Sequence, residues 1–293
     1  MTDAGLYENP LVPNKKLLQM YSVMADARAL DEHIADHITG LRKRTKPKRR
    51  LTSTRGQEAC RVSTALDLLP GDLVCDSHPG VVMDLISGPL SKTQIKSLLN
   101  RVSEFQQNKL DARKLVREAA LARVLPWVED PGDRLRMAMG AALSFQTLKR
   151  GSVVVAYVGH EELGRKEWQQ IIQLASKLDL PIIFVVLPNR AKQDRVPQLS
   201  AKVRGWGMPG IPVDANDAVA LYRVTQESLG RIRGGGGPVL IECKQYPGSN
   251  RNGAASDPLL QMKAFLLGRK LCTQAWLDRA DGRLHNLISS TEH

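Results

Sequence analysis

The 293-residue sequence predicts an α/β fold: a mostly parallel sheet with helices on both faces. Three uninterrupted β-branched runs carry that prediction: "SVVVAYV" at 152–158, "PIIFVVL" at 181–187 and "PVLIEC" at 238–243. None alternates apolar with polar, and a strand apolar on both sides is one covered on both sides. Between them lie segments with apolar residues at steps of three and four: Trp168, Ile171, Ile172, Ala175 and Leu178, then Ala218, Leu221, Tyr222, Thr225, Leu229 and Ile232. Strands that alternate with helices pair in parallel, because each crossover returns the chain to the same end of the sheet.

The remaining elements follow in order. Residues 1–14 read as a loose arm. Lys15 to Ile38 has helical spacing in Leu18, Tyr21, Met24, Ala25, Arg28 and Ala29, and Gly40 with the basic run after it ends the segment. Gln57 to Leu69 is a second helix closed by Pro70-Gly71, "DLVCD" a short strand, and Val81 to Ile86 a helix stopped by Gly88-Pro89. Ser91 to Ala122 is helix-prone, with Ser91 as its cap, and Asp133 to Leu148 is a further helix. Gly140, Ala141, Ala142 and Ser144 make one stretch of that helix small enough for an internal crossing or a subunit contact. "GIPVDAND" is a short strand followed by a cap at Asn216 or Asp217. The four glycines at 234–237 have no Gly-Lys-Ser/Thr after them and read as a turn rather than a phosphate loop. Pro258 to His293 looks helical. The organisation is one domain over 15–280 with a tail at 281–293.

Composition narrows the class. Hydrophobic residues make up 42% of the chain and charged ones 25%, an ordinary globular balance, while aromatics at 4% leave the core to aliphatic side chains. No stretch approaches the roughly 20 apolar residues that span a bilayer, and "MTDAGLYENPLVPNKK" has no signal-peptide pattern. Cys60, Cys75, Cys243 and Cys272 show no Cys-x-x-Cys spacing, which argues against a zinc site or redox pair and suits small core residues in a reducing, cytoplasmic setting. Net charge is +12, much of it in "LRKRTKPKRR", where Arg42, Lys43, Arg44, Lys46, Lys48, Arg49 and Arg50 form either a solvated loop or a dock for an anionic partner. No helix-turn-helix, zinc finger or aromatic-interleaved motif accompanies that run.

Several landmarks together resemble a known family. "TRGQEACRVSTALDLLPGDLV", "MAMGAALSFQTLKRGSVVVAYVG", "LASKLDLPIIFVVLPN" and "WGMPGIPVDANDAVALYRVTQESLGRIRGGGGPVLIECKQY", with "SDP" at 256–258, are similar in order and spacing to the alpha subunit of the decarboxylating first component of 2-oxo acid dehydrogenase complexes. The resemblance spans residues 15 to 280. It implies the thiamine diphosphate-binding fold, thiamine diphosphate and magnesium as cofactors, a beta subunit that completes the site, and oxidative decarboxylation of a 2-oxo acid with acyl transfer to a lipoyl group.

Residue by residue, the family's cofactor motifs are altered. At the end of the central strand the family has Gly-Asp-Gly, whose aspartate holds magnesium; here Gly159 is followed by His160 and Glu161. The family's later Asn-Asn pair falls on Pro188 and Asn189. Magnesium takes hard oxygen ligands, imidazole is a poor substitute, and proline has no side-chain donor. The arginine of the family's Tyr-Arg pair falls on Pro79 in "DSHPG", "LARVLPWVEDPGDR" stands where a glycine-rich loop is expected, and no loop histidine occurs in "PGSNRNGAASDP".

Four independent elements, the metal motif, the Tyr-Arg pair, the glycine-rich loop and the loop histidine, depart together and point to a subunit of this family that has lost its cofactor and serves structure or regulation, as a homo-oligomer or beside a beta-type partner. Gly159, His160, Glu161 and Asn189 are then degenerate cofactor positions. Two alternatives stand: an active subunit with an altered thiamine diphosphate site, and a basic anion- or nucleic-acid-binding module on the same fold. A zinc site drawing on His160 and Glu162, with His78 and Glu161 nearby, is conceivable from the residue types.

Overall fold

A computed structural model of the chain describes residues 12–42, 51, 53–76, 81–86, 88–107, 109, 123–188, 199–245 and 257–289. Its centre is a sheet of five parallel strands: β1 (Leu73–Cys75), β2 (Val154–Gly159), β3 (Ile182–Leu187), β4 (Gly210–Asp214) and β5 (Val239–Lys244), in the spatial order β1-β2-β3-β5-β4. The fold class is the expected one. Every residue of β3 and β5 is buried, as it must be when helices cover both faces.

Side-chain alternation divides these strands between two cores. Val153, Val155, Tyr157, Ile183, Val185 and Leu187 face a layer that includes α1 (Asn14–Arg42), α2 (Glu58–Ala65) and α8 (Ala218–Arg233). Val154, Ala156, Val158, Ile182, Phe184 and Val186 face α5 (Pro131–Thr147), α6 (Arg165–Lys177) and α7 (Leu199–Arg204). Between these groups in sequence lie α3 (Val81–Ile86) and α4 (Lys92–Gln106).

Local chemistry explains the boundaries. Ser91 starts α4 with a full capping box: its hydroxyl accepts from the Gln94 amide while the Gln94 side chain takes the Ser91 amide. The helix expected to reach Ala122 runs to Gln106, and 110–122 lie outside the described residues. Asp130 caps α5, with Pro131 at its first position, and of the two candidates at 216 and 217 it is Asp217 that caps α8, accepting from the Ala220 amide at 2.9 Å. Close approach fixes Gly210, where a Cβ would collide with the Ser200 carbonyl and sit 2.6 Å from Val203.

The helical reading of the C-terminal segment holds, with a break, and two other expectations are corrected. The C-terminal segment is two helices, α9 (Pro258–Gly268) and α10 (Gln274–Ser289), separated by a turn in which Lys270 takes a φ of 54° and Thr273 accepts from the Trp276 amide. Residues 281–289, read as a tail, are instead the second half of α10: Leu284 and Ile288 are buried, and Arg283 pairs with Asp26 on α1. Leu178 drops out of the α6 stripe because it lies past the helix end and is 38% exposed, while Trp168, Ile171, Ile172 and Ala175 are buried.

On α5, Gly140 and Ser144 face outward with Leu143, so an internal helix crossing at Gly140 is ruled out; the inward face is Leu135, Ala138, Met139, Ala142 and Phe145. Cys60, Cys75 and Cys243 are buried and Cys272 partly so. Arg28 ties three helices together, donating from Nε to Glu58 of α2 at 2.5 Å and from its Nη atoms to Asp257, the α9 cap, at 2.9 and 3.3 Å.

Candidate functional site

In a parallel α/β sheet ligands collect at the carboxyl ends of the strands. Register brings Gly159 of β2 beside Leu187 of β3, and Val186 of β3 beside Glu242 of β5. The β2–α6 turn, Pro188 and Glu242 therefore meet at one edge. Cys75 pairs with Ala156, so Asp76 emerges from β1 at the same edge.

His160 is the first residue beyond β2. Its amide donates to the Leu187 carbonyl at 3.3 Å, prolonging the ladder by one bond. Its ring turns toward β5, placing Nε2 3.6 Å from Oε1 of Glu242. That nitrogen is buried and makes no hydrogen bond. Glu242 is itself committed: Oε1 accepts from the Leu199 amide at 3.0 Å and Oε2 from the Ser200 amide at 2.8 Å, so the carboxylate anchors the start of α7. Glu161 is exposed, and Glu162 folds back over Gly159, its amide donating to the Gly159 carbonyl at 3.1 Å and its carboxylate accepting from Arg134.

A second buried pair lies beneath. Arg61 of α2 donates to Asp76, and its guanidinium stands 5.3 Å from the centre of the Tyr157 ring. Burial works against the Arg61 charge, but Asp76 beside it holds the group protonated. Tyr157 donates to the Arg61 carbonyl at 3.0 Å and meets Thr64 at 2.7 Å, and its phenol is pushed up chiefly by burial. Cys75, hydrogen-bonded to the Arg134 carbonyl at 3.4 Å, is raised to about 12, mainly by burial.

The structure thus brings together Gly159, His160, Glu161 and Glu162 with Pro188, as the sequence places them. Asn189, His78 and Pro79 lie outside the described residues, as do Lys43, Arg44, Lys46, Lys48, Arg49 and Arg50; Arg42 closes α1, but its side chain is not described. Sequence reasoning missed Glu242, Arg134, Arg61 and Asp76. Glu242 had a signal, a lone carboxylate in the otherwise apolar "PVLIEC". Among the described residues no three His, Cys, Asp or Glu side chains gather to hold a metal ion, and His78, a further candidate for the zinc reading, lies outside them. As placed, the described groups here do not fit a magnesium–diphosphate pair: one offers imidazole, one is a proline, and the Glu162 and Glu242 carboxylates are engaged by Arg134 and by backbone amides.

Fold and edge together define a parallel α/β protein whose ligand end lies where β2, β3 and β5 finish. The dehydrogenase E1 component family model matches residues 28–273, and the chain belongs to that family. Among curated proteins it is 35% identical over 122 residues to the 3-methyl-2-oxobutanoate dehydrogenase subunit alpha of Mycobacterium tuberculosis, covering 39% of this chain and 33% of that one. It is 30% identical over 187 residues to the chloroplastic pyruvate dehydrogenase E1 component subunit alpha-3 of Arabidopsis thaliana, covering 54% and 43%. To the pyruvate dehydrogenase E1 component subunit alpha of Staphylococcus aureus it is 31% identical over 134 residues, covering 43% and 36%. The matched parts span a third to under half the length of these relatives. A transketolase from Pichia stipitis superposes with a TM-score of 0.40 and 13% identity over 95% of this chain and 45% of that one, too loose a likeness to inform the chemistry. No helix among the described residues is long and apolar enough to cross a membrane.

Proposed function

We propose that this chain is a non-catalytic alpha-type subunit of the E1 family, with a structural or regulatory role beside a beta-type partner. One observation carries the reading. At the end of β2, where the resemblance places a magnesium-binding aspartate, His160 turns its ring toward a Glu242 carboxylate already held by two backbone amides. An ion there would have to displace those amides or accept an imidazole in place of oxygen, and magnesium is reluctant to do either. The paired charges around it support the same reading, since Arg61–Asp76 and Arg134–Glu162 settle their charge internally. The outward face of α5 at Gly140, Leu143 and Ser144 is available to a partner subunit.

Calorimetry and thermal unfolding with thiamine diphosphate and magnesium test the proposal. Binding to the native state must raise the melting temperature, by about 2.7 kcal/mol of stability at a ligand concentration 100 times the Kd. No heat and no shift at millimolar ligand is the expected result. Saturable heat with a rise in melting temperature would overturn it in favour of an active subunit with an altered site. Co-expression with a beta-type subunit tests the partner: co-elution is expected, and separate elution of two folded chains counts against it.

A further inference from the structure

Arg134 is a buried cation whose charge is paired but whose donor fork is only partly filled. It is 2% exposed and sits in the first turns of α5. One Nη donates to Oε2 of Glu162, the other reaches the Val128 carbonyl only at 3.5 Å, and the buried Nε has no hydrogen-bond partner. A guanidinium presents five N–H donors in a planar fork suited to the oxygens of a phosphate or carboxylate. Out of water, that fork needs an oxyanion in front of it. Among the described residues a single side chain supplies one here, and it comes from the short turn after β2.

That turn is built to deliver Glu162. Its amide closes the turn on the Gly159 carbonyl, and its side chain lies across the bare Cα of Gly159, where a Cβ would meet Oε1 at 3.0 Å and Cγ at 3.2 Å. The Glu162 side chain is nevertheless 33% exposed, so it can leave by rotating toward solvent. Arg134, fixed in the core by its helix, cannot follow it.

We infer that Arg134 is the floor of an oxyanion-binding site and that Glu162 occupies the site as a built-in ligand. The ligand class is a phosphate- or carboxylate-bearing molecule that presents two oxygens to the fork. The inference rests on the reading that this edge holds no thiamine diphosphate. A carboxylate tethered three residues from the strand end acts at an effective concentration of order millimolar or higher, so free anions below that level do not enter. Removing Glu162 opens the site.

The test compares the full-length chain with Glu162→Ala and with Glu162→Ala/Arg134→Leu. Thermal unfolding is followed against inorganic phosphate, with chloride keeping ionic strength constant. Phosphate should raise the melting temperature of Glu162→Ala saturably, with half the effect at millimolar phosphate, while the parent and the double variant respond no more than they do to chloride. If Glu162→Ala does not fold in chloride, phosphate should restore its folding, and Glu162→Gln, which keeps a neutral side chain against Arg134, should show a smaller shift of the same sign. A folded Glu162→Ala indifferent to phosphate overturns the inference, and so does an unrescued Glu162→Ala with an indifferent Glu162→Gln. A double variant that responds like the single one assigns the effect to another cation and also overturns it. Thiamine diphosphate titrated into the parent chain stays a separate arm: heat there removes the functional reading, whereas phosphate and Glu162→Ala judge this one.

Discussion

The Nε2 atom of His160 and Oε1 of Glu242 stand 3.6 Å apart, but only Glu242 has work to do: its two oxygens hold the first amides of α7 while the facing imidazole nitrogen has no partner. The two side chains therefore differ in structural weight. Glu242→Gln turns one acceptor into a donor that faces a backbone N–H, leaving a buried amide unsatisfied. Such a group costs about 1–3 kcal/mol. His160→Gln removes no hydrogen bond and should cost less than about 1 kcal/mol. Urea unfolding of the two variants checks the order, and a His160 variant as damaging as the Glu242 one would show that the imidazole is structural.

The Arg61–Asp76 pair makes a sharper test, since both side chains are almost wholly buried. Removing one member of such a pair leaves an uncompensated charge and costs about 3–5 kcal/mol, whereas apolar replacement of both is often close to neutral. Asp76→Asn should thus lose several kcal/mol, and Arg61→Leu/Asp76→Leu should recover a large part of it. A double variant no more stable than the single one would mean that the hydrogen bonds around Tyr157, not the charge balance, set the cost.

These two pairs also mark where the sequence stops being legible. The strands were readable because burial on both faces removes all alternation, so "PIIFVVL" has one interpretation. Ser91, Asp217 and the Gly234–Gly237 turn were readable because caps and turns are local chemistry. At the candidate site the altered positions His160, Glu161 and Pro188 were visible one by one, but their partners were not. Arg134 precedes Glu162 by 28 residues and Arg61 precedes Asp76 by 15, and no local rule couples them. The break in the C-terminal helix was hidden for a different reason: Lys270 adopts a left-handed turn conformation that glycine usually signals.

Gly210 shows a close approach that the sequence does not announce, at the point where β4 leaves α7. An added Cβ would collide with the Ser200 carbonyl and press on Val203. Neither can yield easily, because the Ser200 amide is fixed by Glu242 and Val203 is in the core. Overpacking of this kind costs about 1–3 kcal/mol or more. Gly210→Ala should fall at the top of that range, whereas Gly140→Ala, with nothing within 4 Å of the new methyl, should stabilise α5 by up to about 1 kcal/mol through helix propensity. Chemical denaturation of both variants is decisive, and a tolerant Gly210 would place α7 further from β4 than it stands here.

The packing of α1 against α4 should carry a pH dependence of its own. Nε2 of His37 on α1 is 2.8 Å from the hydroxyl of Ser103 on α4, and that hydroxyl donates its proton to the Leu99 carbonyl at 2.9 Å. The imidazole must therefore be the donor, which fixes a neutral tautomer with its proton on Nε2. Burial first, and the neighbouring His33 second, depress the His37 pKa below its ordinary value of 6.5. With the folded value below the unfolded one, the unfolded chain takes up the proton first as pH falls. Stability is then complete above the ordinary histidine range, declines as pH drops through it, and levels off once the folded pKa is passed. Melting temperatures followed from pH 7.5 downward should therefore fall more steeply for the parent chain than for His37→Gln, which keeps a donor to Ser103 but cannot titrate. Parallel curves would mean that His37 takes up its proton equally in both states and that the α1–α4 contact does not resist its charge.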